Sequence, residues 1–391
     1  MIFIPALPLK PETNQLKFKT TIEYRARYER RTDGDFNAAA NDNKSYLYQR
    51  IRPSLSWKYG KTWSGLLQYQ YAHQLQWAQS GNNSTDNSDL FQGYVTKTDG
   101  DKKVTVGRQR ISFGSTRLIG SPDWGNTGKS YDAVRYQSKT LDVVVARYGA
   151  VQKSSSSARY AAVGMENKLG TTALIYKHDT ATGGRIDHYT LDHVYESNLG
   201  NAKAEAEGAY QVGRNAGKDQ SAWAVHLKLS NKFGKKDSGY FEINSASGGS
   251  TATTNRGFDV LTPSTHGVYG LMDVQGWKNM NQIAIGFKHD INKSVDLSFR
   301  GASNDLRVVS DGWYGTSGSL NKSGSTSLID ATGSSGRHVG EEYDLEFNFK
   351  TKHKDSISAG LAMFAPGTFI KNVAGSSRNQ YWGYVQYSTK F

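Results

Sequence analysis

Residues 107–136 read GRQRISFGSTRLIGSPDWGNTGKSYDAVRY, and they concentrate the groups that could act on a solute. Arg108, Arg110, Arg117, Lys129 and Arg135 crowd around one carboxylate, Asp123, and one large ring, Trp124. A guanidinium stays charged at any working pH, and its planar fork matches both oxygens of a carboxylate. The chemistry on offer is therefore recognition of anions rather than bond making. Val104 and Val106 alternate with polar neighbours on one flank, and Ala133 to Tyr136 read as a second strand. Gly, Ser, Asn, Pro and Asp fill the middle, which marks a loop. A connection of about fifteen residues can fold back over whatever its two strands enclose. The expectation is that residues 114–129 turn inward, with Asp123 and Trp124 as anchors. Arg108 or Arg135 would pair with Asp123, and Arg110 and Arg117 would face a passing anion. Taken alone, the stretch also reads as a solvated surface hairpin, so the rest of the chain must decide.

The elements that position these residues are long strands. Leu16, Phe18, Thr20, Ile22, Tyr24, Ala26 and Tyr28 alternate with Lys17, Lys19, Thr21, Glu23, Arg25, Arg27 and Glu29. Ordinary globular strands run about 5–6 residues, whereas this one is long enough to cross a bilayer at a tilt. Leu47, Ile51, Leu55 and Trp57 then oppose Arg50, Arg52, Ser54 and Lys58, with Pro53 tolerable at a bulge. Gln68, Gln70, Gln74 and Gln76 oppose Leu67, Tyr69, Tyr71 and Leu75. Val295, Leu297 and Phe299 oppose Asp296, Ser298 and Arg300. A face this rich in Gln, Arg and Lys suits a wet lumen, and the other face suits lipid. Apolar parity shifts between Val106 and Ile111, which predicts a bulge near Gly107.

Connections alternate in length. Long polar links fall at about 32–44, 78–88, 115–129, 247–279, 305–337 and 366–379, and short ones at 60–61, 99–101, 139–140, 169–170, 200–201, 289–292 and 352–355. Short turns on one side and long loops on the other are the outer-membrane pattern. The fold expected is all-β, a transmembrane antiparallel β-barrel of about eighteen strands with both termini on the short-turn side. Its long extracellular loops fold partly into the lumen. Residues 15–391 form the barrel in this reading, and residues 1–14 a periplasmic extension. No leader resembling a signal peptide opens the chain, which reads as a mature outer-membrane protein.

Composition narrows the function classes. The apolar fraction is 37%, low for a globular protein, while Tyr (23) and Gly (41) are abundant, as an aromatic-girdled barrel with a polar interior requires. Cys is absent, which removes disulfides and thiolate metal sites. The net charge of +13 calls for an anionic partner. Nucleic acid is a poor match, because the basic residues alternate with apolar ones along strands instead of lining a groove reader. His178, His188 and His193 lie on adjacent strands without metal spacing, and no nucleophile, base and orienter come together, so neither a metal, a cofactor nor catalysis is expected. His188 and His226 fall on the lumen face.

Three blocks carry a family resemblance: residues 107–136 above, FDVLTPSTHGVYGLMDVQGWKN at 258–279, and GEEYDLEFNFKTKHKDSISAGLAMFAPGTFIK at 340–371. They are similar to the alginate export family of outer-membrane porins. The resemblance implies an eighteen-stranded barrel with loops folded into an electropositive lumen that passes an acidic polysaccharide. It places Arg108, Arg110, Arg117, Asp123, Trp124 and Arg135 in the family's first block.

The functional expectation is a channel for anionic solutes, including an acidic oligo- or polysaccharide such as alginate. Arg25, Arg27, Arg50, Arg52, Arg108, Arg110, Arg117, Arg135 and Arg300 are the candidate pore-lining residues. Expected partners are the bilayer, lipopolysaccharide, the solute, and periplasmic accessory proteins. Each arginine has a bland reading as one half of a wet ion pair with Glu23, Glu29, Glu342, Asp344 or Glu346. Two other functions stay open: a scaffold or docking sheath with little conduction, and, more remotely, an outer-membrane enzyme.

Overall fold

The computed structural model describes residues 15–37, 42–78, 81–150, 158–180, 183–264, 266–351 and 355–391. The expected extension at 1–14 lies outside them. The alternating segments become eighteen barrel strands. The first six are β1 Leu16–Thr32, β2 Lys44–Tyr59, β3 Trp63–Ala78, β4 Asn83–Asp99, β5 Lys102–Gln109 and β6 Lys129–Gln137. Next come β7 Leu141–Ala150, β8 Arg159–Asn167, β9 Gly170–Asp179, β10 Ile186–Leu199, β11 Ala202–Asn215 and β12 Lys218–Lys232. The last six are β13 Asp237–Ala246, β14 Met280–Asn292, β15 Val295–Leu306, β16 His338–Lys350, β17 Ser356–Pro366 and β18 Gln380–Lys390. Each strand pairs antiparallel with its sequence neighbour, and β1 pairs with β18 to close the ring. Closure leaves no free edge, so every wall strand has ladder partners on both sides, as a barrel in lipid needs.

Outward residues follow the period-two reading. Leu16 and Phe18 are 52% and 60% exposed, whereas Arg25 and Arg52 are 7% and 2% exposed. Gly60, Gly100 and Gly200 take positive φ of 58°, 61° and 66° in short turns, where a side chain would strain the backbone. Wall height is uneven. Strands β1–β4 have 16–17 residues and β5–β9 only 8–10. β4 begins at Asn83, earlier than the expected loop end at Ser88.

No register shift occurs at Gly107, although its φ is 121°. The parity change has another cause: β5 ends at Gln109 and the chain leaves the wall, so Ile111 is buried as part of the loop. A register shift does occur in β4, where Tyr69 pairs with Leu90 and Gln68 with Gln92. The extra residue, Phe91, is thereby aimed inward and is 1% exposed.

The interior is not uniformly wet. On β6–β12 the inward positions include Ala133, Ala146, Ala162, Ala173, Ala209, Ala222 and Ala224, all buried. Small side chains leave room, and loop residues Ile111, Phe113, Leu118, Ile119, Phe258, Val260 and Trp277 fill it as one apolar cluster. A second cluster joins Trp313 and Leu328 of loop 307–337 to Phe364, Trp382 and the short helix α1, Thr368–Ala374, which buries Phe369 and Ile370.

Candidate functional site

Residues 110–128 leave the wall and cross the lumen as a strap. Asp123 reaches the tall wall, where inward positions of β1 and β2 carry Arg25, Arg27, Arg50 and Arg52. Arg50 Nη1 and Arg52 Nη2 donate to Asp123 Oδ1 at 3.0 and 2.7 Å. Arg25 donates to the carbonyls of Asp123 and Gly125, both at 2.8 Å, and Arg27 to that of Trp124 at 2.8 Å. Burial alone would raise the Asp123 carboxyl, but the positive charge of Arg50 and Arg52 prevails and holds it at about 2. Asp123 is held by Arg50 and Arg52, whereas the two partners expected for it bond elsewhere. Arg108 bonds Asp132 at 2.7 Å, and Arg135 bonds Asp142.

Around Asp123 the fit is close. A Cβ on Gly128 would lie 2.2 Å from Arg52 Nη2 and 2.7 Å from Asp123 Oδ1, so only glycine lets the strap approach here. The bulged Phe91 lies with its ring centroid 3.7 Å from the Arg52 guanidinium carbon. Trp124 packs against the Arg27 guanidinium at 3.8 Å and the His266 ring at 3.7 Å, and His266 bonds Asp273 at 2.8 Å. Arg27 also pairs with Glu29 at 2.6 Å.

At its other end the strap meets acids. Arg117 lies 3.6 Å from both Glu207 and Glu242, which are buried on β11 and β13. The expectation that Arg117 faces the solute is thus replaced by an ion-paired brace. Loop 247–279 runs beside the strap, with Gly120 N–H donating to the Thr262 carbonyl at 2.9 Å and Thr262 N–H to that of Leu118 at 3.0 Å. Asp259 fixes that loop to the wall, accepting from Lys177 at 2.6 Å and lying 2.8 Å from His188 Nε2. Burial would raise its carboxyl, yet Lys177 and His188 hold it well below the usual range. Further along, the N–H groups of Leu271 and Met272 donate to Asp344 and Glu342. Arg300 stands near these acids, donating to Gln282 at 2.9 Å and 3.9 Å from Asp344.

The remaining sequence candidates separate into two places. Arg108 shares a face with the exposed Val104 and Val106, so it projects outward and does not line the lumen. Arg110 is exposed on the inside, donating to the Ser121 carbonyl at 3.3 Å. With Arg135 it borders a 620 Å³ cavity beneath the strap, on the short-turn side. Lys58, Lys61 and Lys103 line the same cavity, together with Thr96, Thr98, Thr105, Gln92 and Gln137, and no carboxylate lines it among the described residues. Lys58, Lys103, Glu207, Glu242 and Asp259 were not singled out from the sequence. The inward parity of Lys58 and Lys103 was available as a signal. Nothing local marks the three acids as loop anchors.

A closed eighteen-strand antiparallel barrel with loops folded into a charged lumen defines a channel of the bacterial outer membrane, with the architecture of a porin. Residues 17–384 match the family described as Alginate export, and the chain belongs to that family. No curated protein matches it by sequence. Similar solved structures come from Pseudomonas aeruginosa. OccK5 (OpdH) superposes with a TM-score of 0.64 at 11% identity, over 96% of this chain and 98% of that one. OpdK with vanillate gives 0.63 at 11%, again over 96% and 98%. OccK2 (OpdF) in complex with glucuronate gives 0.62 at 9%, with the same coverage.

Proposed function

We propose that this outer-membrane channel is selective for anions and passes carboxylate-bearing solutes, acidic saccharides among them, without catalysing a reaction. The observation that carries the reading is the cavity beneath the strap, bordered by Lys58, Lys61, Lys103, Arg110 and Arg135 and by no carboxylate among the described residues. Arg135 is paired there with Asp142, which leaves Arg110 the exposed guanidinium of the lining. Hydroxyl and amide groups around the cations suit a polyhydroxylated acid, with several weak contacts instead of one tight one, as conduction requires. Glucuronate and vanillate, named with two of the similar structures, are both carboxylates. The tall-wall arginines contribute field more than contact, since the strap covers them.

Packing of the loops into dry clusters favours a second reading, a barrel that conducts little and docks periplasmic partners. Reversal potentials across a salt gradient in planar bilayers separate the two. Anion preference that falls several-fold in Arg110→Glu supports the channel; absent conductance supports the scaffold, and cation preference overturns the anion reading.

A further inference from the structure

Outside the barrel, charges stand where neighbouring strands present apolar side chains. Arg108 on β5 lies directly opposite Asp132 on β6, which lies opposite Arg147 on β7. Arg147 lies opposite Arg159 on β8. Their inward neighbours Ala146 and Tyr160 are buried while Val145 and Val163 are exposed, so both arginines project from the outer surface. Arg108 is neutralised by Asp132 at 2.7 Å. Arg147 and Arg159 differ: they are cross-strand neighbours of like charge, and the acid opposite Arg147, Asp132, is bonded to Arg108. Like charges directly opposite one another cost stability unless an anion lies between them.

The height of the pair says which anion. On β1 the outward apolar run extends from Leu16 to Tyr28, about 30 Å of bilayer at the usual rise and tilt. On β7 it is Leu141, Val143 and Val145, about 10 Å, and then Arg147. The pair is on the long-loop, extracellular side, with apolar side chains just below it. A soluble anion would leave Val145 and Val163 uncovered. A lipid would cover them with its chains and place its headgroup on the two guanidiniums, whose forks suit phosphate oxygens.

We propose that Arg147 and Arg159 form a binding site for the phosphate group of an outer-leaflet glycolipid. The full chain, delipidated in detergent, is titrated with bisphosphorylated lipid A and followed by native mass spectrometry. One copy should bind, at least tenfold more weakly to Arg147→Gln/Arg159→Gln. Dephosphorylated lipid A should bind wild type as weakly as it binds that variant. Arg147→Lys/Arg159→Lys should fall between. Retained barrel mobility on unheated gels and unchanged conductance check that the variants fold. Equal binding by the Gln variant, or by the dephosphorylated lipid, overturns the site. So does displacement by equimolar inorganic phosphate, or a dimer that the Gln variant abolishes. Should the Gln variant fail to fold, the comparison of the two lipids on wild type decides.

Discussion

The two sides of the lumen solve the same problem, holding a loop inside a barrel, with opposite materials. The β1–β4 side presents Arg25, Arg27, Arg50, Arg52 and Gln70, long polar side chains that reach the strap by charge and hydrogen bonds. The β6–β13 side presents alanines that withdraw, so that apolar loop residues press against the wall, with a few buried ion pairs as pins: Glu207 and Glu242 on Arg117, and Lys177 on Asp259. Charge-based attachment is directional and pH-dependent, whereas apolar attachment is neither. The difference makes one end of the strap a polar attachment and the far side an apolar support.

The largest effect should follow from detaching the arginine side. Asp123→Asn leaves Arg50 and Arg52 buried without a carboxylate, at a cost on the order of 3 kcal/mol to the closed strap. Single-channel conductance should rise several-fold and anion preference should strengthen. Unchanged conductance would mean that the strap is held by its apolar end alone.

Gly128→Ala should come next. Its Cβ would press on Arg52, Asp123 and Phe91, and overpacking of this kind costs about 1–3 kcal/mol. Thermal unfolding on gels should shift down, together with noisier conductance. A variant as stable and quiet as wild type would show that the seat is looser than the geometry requires.

Acid sharpens the contrast further. The Asp123 carboxyl is held at about 2, below its unfolded value near 4, so its contribution is complete above about pH 4 and is lost as pH falls through about 2. Conductance contributed by strap release should therefore appear only below about pH 3. Release at pH 5 would point to another group.

The smallest effect should come from Ala224→Val on the far side, where overpacking displaces apolar loop residues without touching a charge. Melting should fall modestly while ion selectivity stays constant. A change in selectivity would show that the far side is more than an apolar support.

How much of this the sequence reveals depends on distance along the chain. Outward and inward faces were legible wherever period two runs long, as at Leu16–Tyr28, because burial acts on each residue separately. That a loop at residues 114–129 turns inward was expected only once the long strands had suggested a barrel, since its composition alone also suits a surface hairpin. The partners of Asp123 were not legible: Arg50 and Arg52 are some seventy residues away, and strand heights around a closed ring decide which rows meet. Arg108 was misplaced although its own alternation with Val104 and Val106 puts it outside. The alanines of β6–β12 carry no signal, since a methyl group suits lipid, lumen or a packed loop equally. Helix α1 was hidden inside a stretch read as a loop.

The strap carries Asp123 at one end and Arg117 at the other, each held by the opposite sign on its wall. Viewed electrically, its Arg117–Asp123 stretch is a dipole lying across the lumen. A transmembrane voltage pushes those ends in opposite directions along the axis, at up to about 2.3 kcal/mol per charge for each 100 mV crossed. Such a field exerts a torque on that stretch, and reversing the polarity reverses the torque. A voltage of either sign therefore loads the two attachments of the strap in opposite directions.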